Sequence, residues 1–165
     1  METQATGTCE TRPMSMSDVD EFEQFVLAIE PRLRRALVGR LGVDQTHDAT
    51  AHALAWAWEN WAYVATMKNP AGYLYRVAQS SIDRRPPQSS KWLVTVDTEL
   101  PDFEPGLGSA LAALTKNQRA AVWLVHGCQW SYGEAADALD ITPSTLGNHL
   151  SRGMKKLREQ LGEGQ

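Results

Sequence analysis

Ser144, Thr145, Asn148, His149, Ser151, Arg152, Lys155 and Lys156 are spaced to wrap around one side of a helix whose other side carries Leu146, Leu150, Gly153 and Leu157. Along that polar side the small hydrogen-bonding groups come first and the cations later. Short side chains with donors and acceptors suit the edges of bases in the major groove, and Arg or Lys beyond them suits phosphate. A solvated helix face offers the same residue types, so the face by itself leaves both readings open.

The elements before it narrow the choice. Thr115 with Gln118, and Ser131 with Glu134, each fit the capping box, in which the first and fourth side chains satisfy one another's unpaired backbone donors. A third start follows at Thr142, with Pro143 in the first turn and Ile141 placed to staple against Leu146. A short helix, a turn of three to four residues and a second helix is the spacing of a helix-turn-helix, whose second helix enters the major groove. Gly147 and Gly153 each weaken that helix by up to ~1 kcal/mol relative to Ala, unless a close approach requires them.

Catalytic chemistry has no comparable signal. The sequence has no Gly-rich phosphate loop, no nucleophile elbow and no His and Cys set at metal-ligand spacing, so neither an enzyme, a metal nor a cofactor is expected. His47 and His52 are five residues apart and fall on different sides of a helix, while His126 and His149 stand alone. Cys9 and Cys128 form no disulfide framework and read as reduced thiols. With neither a secretory signal pattern nor an apolar run of ~18 residues, a cytoplasmic protein without membrane insertion is expected.

Upstream, the apolar pattern begins at Phe22 and continues through Phe25, Val26, Ile29, Leu33, Leu37 and Leu41, predicting a long helix bent at Pro31. Its other face carries Arg32, Arg34, Arg35 and Arg40, either solvated or set against DNA or an acidic partner. A second helix is predicted from about Asp48 to Trp61, burying Leu54, Trp58 and Trp61 on one side. Trp56 then lies opposite, with His52 and Glu59, as an interface anchor or as a residue packed on the first helix or the leader. Asn69 and Pro70 open a third helix with Leu74, Val77, Ala78 and Ser81 inward and Arg76, Gln79, Ser80 and Asp83 outward.

Net charge is −4, too negative for a protein that coats nucleic acid by bulk charge. Residues 86–106 hold four acids against a single Lys, among Pro86, Pro87, Pro101 and Pro105. The chain therefore divides into a disordered leader at 1–17, a helical module at 18–85, an acidic Pro-rich linker at 86–108 and a helix-turn-helix module at 109–162. This is an all-α protein of two small domains joined by a flexible linker.

Over residues 20–160 the sequence resembles the extracytoplasmic-function sigma factors of bacterial RNA polymerase. Asn69-Pro-Ala-Gly-Tyr-Leu-Tyr-Arg-Val-Ala78 and Asp83-Arg84-Arg85 are similar to region two of that family, as are Ala57-Trp58 and the stretch from Phe22 to Leu41. Leu114, Gln118-Arg119, Ser131-Tyr132, Glu134-Ala135-Ala136, Thr145-Leu146, Leu150 and Arg152 are similar to region four. The resemblance implies a non-enzymatic subunit that binds core RNA polymerase and directs it to promoter DNA, with an anti-sigma factor as a further partner. It implies that Asp48, Ala51, His52, Trp56 and Glu59 meet the polymerase, that Lys68, Asn69, Arg76, Gln79 and Ser80 hold the opened minus-10 strand, and that the helix after Thr142 enters the groove of the minus-35 element. The linker would thread the RNA channel of the polymerase.

Two positions depart from the family pattern. Ala51-His52 stands where Gln and an acidic residue are usual, and Gly147 and His149 where basic residues are common. Two alternatives stay open: a helix-turn-helix regulator acting without polymerase, and a sigma mimic that sequesters an anti-sigma factor.

Overall fold

The computed structural model describes residues 13–83 and 106–162. Helix α1 (Met16–Leu41) starts at a capping box in which Ser15 accepts from the Asp18 amide while the Asp18 carboxylate accepts from the Ser15 amide. Two residues assigned to the leader, Met16 and Ser17, are thus helical. The box escapes a reading by apolar period because the Thr, Ser and Gly around it precede the start of that pattern. The helix runs on through Pro31. Of its predicted inner face, Ile29, Leu33 and Leu37 are buried, joined by Ala36 and Gly39, and Phe22, Phe25, Val26 and Leu41 are half-buried.

Helix α2 (Val43–Glu59) begins and ends earlier than predicted, and Trp61 belongs to a separate turn, α3 (Trp61–Val64). Its buried side is Thr46, Ala49, Thr50, Ala53 and Ala57, so the expectation that Leu54, Trp58 and Trp61 share one buried side is corrected. Small residues at helical spacing let α2 lie close against α1 and α4, and the bulky groups are displaced to the flanks. Trp58 is 41% exposed, with its indole edge-on to Phe22 at 4.9 Å, and Leu54 is half-buried. Trp56 is half-buried, its ring tilted against Tyr73 of α4 at 5.2 Å.

Helix α4 (Pro70–Asp83) opens as predicted, the Asn69 side chain accepting from the Gly72 amide at 3.0 Å. It buries Ala71, Gly72, Leu74, Tyr75 and Ala78, while Val77 and Ser81 are only half-buried. Arg76, Ser80 and Asp83 are exposed as expected, and Gln79 is half-buried.

Residues 84–105, most of the predicted linker, lie outside the described residues, as do residues 1–12 of the leader. The linker's last two residues, Leu107 and Gly108, are already in helix α5 (Leu107–Ala112). Helix α6 (Lys116–Val122) has the Thr115–Gln118 capping box and passes into a π-helical turn at 123–127, where the Cys128 amide reaches five residues back to the Trp123 carbonyl at 2.9 Å. Helix α7 (Tyr132–Leu139) has the Ser131–Glu134 box. Asp140, in the left-handed region at φ 54°, turns the chain into α8 (Pro143–Gly162), where Thr142 accepts from the Thr145 amide at 3.1 Å. Every described helix is α or π and no strand is formed among the described residues, as the all-α expectation requires.

The two modules do not stand apart. Their buried residues form one continuous apolar cluster, with α1 against α6 and the π turn, and α4 against α7.

Candidate nucleic-acid interface

Helix α8 is sorted as its sequence predicts. Leu146, Leu150, Gly153 and Leu157 are its buried residues, and Ser144, Thr145, Asn148, Ser151, Arg152 and Lys155 are exposed. Gly153 is required by contact: a Cβ there would lie 2.9 Å from Val122 Cγ2. Gly147 has nothing within 4 Å of such an atom, so packing does not explain it. His149 and Lys156 are half-buried, and Lys156 Nζ donates to the Ala113 carbonyl at 2.9 Å, at the end of α5. That bond ties a cation to a helix C-terminus, where it complements the dipole, rather than leaving it on the open face.

Asp48, Ala51, His52 and Glu59 are exposed on α2, and half-buried Trp56 lies among them. Lys68, Asn69 and Arg76 line one wall of a cleft, with Tyr63 and Tyr73 beside them. Asn69 is engaged as the cap of α4, and the Ser80 hydroxyl donates to the Val77 carbonyl at 2.8 Å. Gln79 is half-buried, its side chain close enough to the Tyr75 hydroxyl to hydrogen-bond with it. The Arg76 guanidinium lies over the Tyr73 ring at 5.3 Å and pairs with Asp140 at 3.5 Å. Asp140 comes from the opposite wall, to which Thr142 and Thr145 also belong. Lys68, Asn69 and Arg76 of the minus-10 candidates and Thr145 of the minus-35 candidates are therefore brought to one cleft, a juxtaposition that helical periodicity within a single element does not reveal.

The rest of the seam is equally invisible to periodicity. Arg32 reaches Glu134 at 2.8 Å and lies over the Trp130 ring at 5.3 Å. Tyr75 meets Trp130 edge-on at 6.1 Å, and Trp123 Nε1 donates to the Arg35 carbonyl at 2.7 Å. The acidic partner suggested by the Arg-rich side of α1 includes the chain's own C-terminal module. The hydrogen bond from Arg32 holds the Glu134 carboxyl below its ordinary range, and the Ser131 cap acts the same way. Burial pushes the Tyr75 hydroxyl up to about 12. It does the same for Cys128, also up to about 12, against the opposing pull of Arg35 and Arg32.

Among the described residues no cluster of His, Cys, Asp or Glu could hold a metal, and no helix is long and apolar enough to cross a membrane.

Residues 106–157 match the family described as Sigma-70, region 4. Helices α5 to α8, including the turn at Asp140, fall almost wholly within that match. A solved sigma factor, RpoE in complex with the anti-sigma factor NepR from Bartonella quintana, superposes with a TM-score of 0.67 over 87% of this chain and 98% of its own, at 21% identity. That likeness is one of fold. An RNA polymerase sigma-E factor from Streptomyces antibioticus is 31% identical over 162 residues, covering 90% of this chain and 88% of the relative. Sequence identity across both modules, joined to the helix-turn-helix geometry of α7 and α8, places the chain among the extracytoplasmic-function sigma factors.

Proposed function

We propose that the chain binds core RNA polymerase and directs it to promoters, acting as a non-enzymatic cytoplasmic initiation subunit. The exposed side of α2, with Asp48, Ala51, His52 and Glu59 and with Trp56 at its margin, docks on the polymerase. Lys68 and Arg76, beside Tyr63 and Tyr73, hold the opened minus-10 strand. A base taken out of the stack needs an aromatic or apolar surface, and its backbone needs a cation. Ser144, Thr145, Asn148 and Ser151 enter the minus-35 groove while Arg152 and Lys155 hold phosphate. Low overall charge accords with this division, since the polymerase supplies much of the DNA affinity.

The observation that carries the reading is the sorting of α8 into a buried apolar side and an exposed polar one, set behind a capped helix-turn-helix in a chain that also has a second helical module. Run-off transcription with purified core polymerase tests it: promoter-specific transcripts that need both modules are expected. Stable operator binding by the isolated chain, without transcripts, would favour a regulator acting alone. An anti-sigma factor is a further expected partner, since the superposing solved sigma factor is bound to one.

A further inference from the structure

Beside the N-terminal half of α1 lies a groove of about 620 Å³ that none of the polymerase-facing or DNA-facing candidates lines. Buried Trp61 and Val64 and half-buried Phe25 and Met67 give it an apolar surface, and exposed Asp20 and Glu21 stand at its rim. Among the described residues no Lys or Arg lines it. Nucleic acid is a poor occupant, because the two carboxylates repel phosphate. The volume falls within the ~300–1,000 Å³ of pockets that enclose a compact group. Its chemistry calls for an apolar segment with a cation beside it.

The stretch that joins α4 to α5 carries such a segment. Residues 91–94 read Lys-Trp-Leu-Val, and Trp92 and Val94 share one side when the chain is extended. Further on, Leu100 and Phe103 are set among Asp97, Glu99, Asp102 and Glu104, whose charge the rim opposes. Residues 1–12, at the other end of the module, hold no aromatic side chain and include Glu2 and Glu10.

Chain length permits the contact. Pro70 lines the groove and opens α4, so from Asp83, at the far end of that helix, the groove is about 20 Å back at ~1.5 Å per residue. Residues 84–91 extend to about 27 Å at ~3.4 Å each. Residues 95–105 reach about 37 Å, more than the ~29 Å of α1 between Asp20 and Gly39, where that helix meets Trp123 of the C-terminal module.

We propose that residues 91–94 dock in this groove, with Trp92 and Val94 against Trp61 and Val64 and with Lys91 at Asp20 and Glu21. Because the segment is tethered, the groove meets it at a concentration on the order of millimolar, so weak contacts suffice to hold it. The groove shares no residue with the surfaces assigned to polymerase and DNA, and its occupation does not depend on that assignment.

Chymotrypsin digestion of the full chain tests the docking. Cleavage after Trp92 is read against cleavage after Phe103, which lies in the same connecting stretch but outside the docked residues. Ala65→Arg fills the groove from an exposed position that lines it, and Glu21→Lys reverses the charge of the rim at an exposed helix position. Each is expected to raise the ratio of cleavage at Trp92 to cleavage at Phe103 by about tenfold, since proteolysis follows the population of the undocked segment. Lys91→Glu added to Glu21→Lys exchanges the two charges and should return the ratio to that of the parent. Should Ala65→Arg fail to fold, the Glu21 and Lys91 pair still decides the matter. A ratio that neither groove variant changes would overturn the proposal. Protection of Trp92 that disappears on dilution would overturn it too, because a second copy would then be supplying the segment.

Discussion

Gly153 of α8 and Val122 of α6 are in such close contact that a methyl group at 153 would fall 2.9 Å from the Val122 side chain. This contact sets how deeply α8 seats in its module. Six residues earlier, Gly147 faces open space. The two glycines in one helix should therefore respond oppositely to the same substitution.

Gly147→Ala is expected to stabilise the chain by about 0.5–1 kcal/mol, the gain in helix propensity. Gly153→Ala gains the same propensity but overpacks, which typically costs about 1–3 kcal/mol, so a net loss of about 1 kcal/mol is expected. Urea unfolding of both variants checks the pair, and equal effects of the two would contradict the packing.

The seam should respond to acid. Because Arg32 lowers the pKa of Glu134 in the folded chain, the ionised carboxylate is bound more tightly there than in the unfolded or parted state. Its contribution is full above the ordinary glutamate value near ~4.3 and is lost as pH falls through the lowered folded value. Glu134→Gln keeps a side chain able to complete the capping box at Ser131 but carries no charge. Maleimide protection of Cys128 after equilibration at graded pH should fall less steeply in this variant below pH ~4.3 than in the parent.

Cys128 should be a poor nucleophile while the seam is closed. With its pKa pushed up to about 12, its thiolate fraction at neutral pH is negligible. Alkylation of the Cys9→Ser chain should be slow in native buffer and become rapid in denaturant. Equal rates in the two conditions would mean that Cys128 is not shielded.

The proposed division of labour between modules predicts separable defects. Arg152→Ala should reduce promoter-dependent transcription by about tenfold, within the ~1–3 kcal/mol of a good DNA contact, and leave polymerase binding intact. His52→Ala and His52→Glu should change polymerase affinity and leave promoter preference alone. Binding titrations with core enzyme, run beside transcription assays, distinguish the two classes. Unchanged core affinity in both His52 variants would remove His52 from the docking surface.

Much of the architecture is legible in the sequence because it is local. Capping boxes at Thr115 and Ser131, the Asn69-Pro70 start and the Leu146, Leu150, Gly153, Leu157 side are each fixed by residues within a few turns, and all appear in the structure. Helix α2 departs from its expected burial because volume misleads: Trp58 is a larger apolar group than Ala57, yet alanines are what allow close helix contact, and the indole is left half outside. Placement of the polar side of α8 is legible for the same local reason, apart from the bond from Lys156 to Ala113. The partners of Arg32, Arg76 and Trp123 lie 102, 64 and 88 residues away along the chain, beyond any pattern of helical spacing.

The π turn at 123–127 has a consequence for chain length. Its wide ring holds an additional residue between α6 and the loop that delivers Trp130. Deleting one residue there would relax the turn to ordinary α spacing and swing the downstream loop by about 100° around the axis. Trp123 and Trp130 could not then both find their seats on α1 and α4. In this stretch the number of residues is as tightly constrained as their chemistry, and a one-codon deletion should unlatch the protein as surely as the loss of either indole.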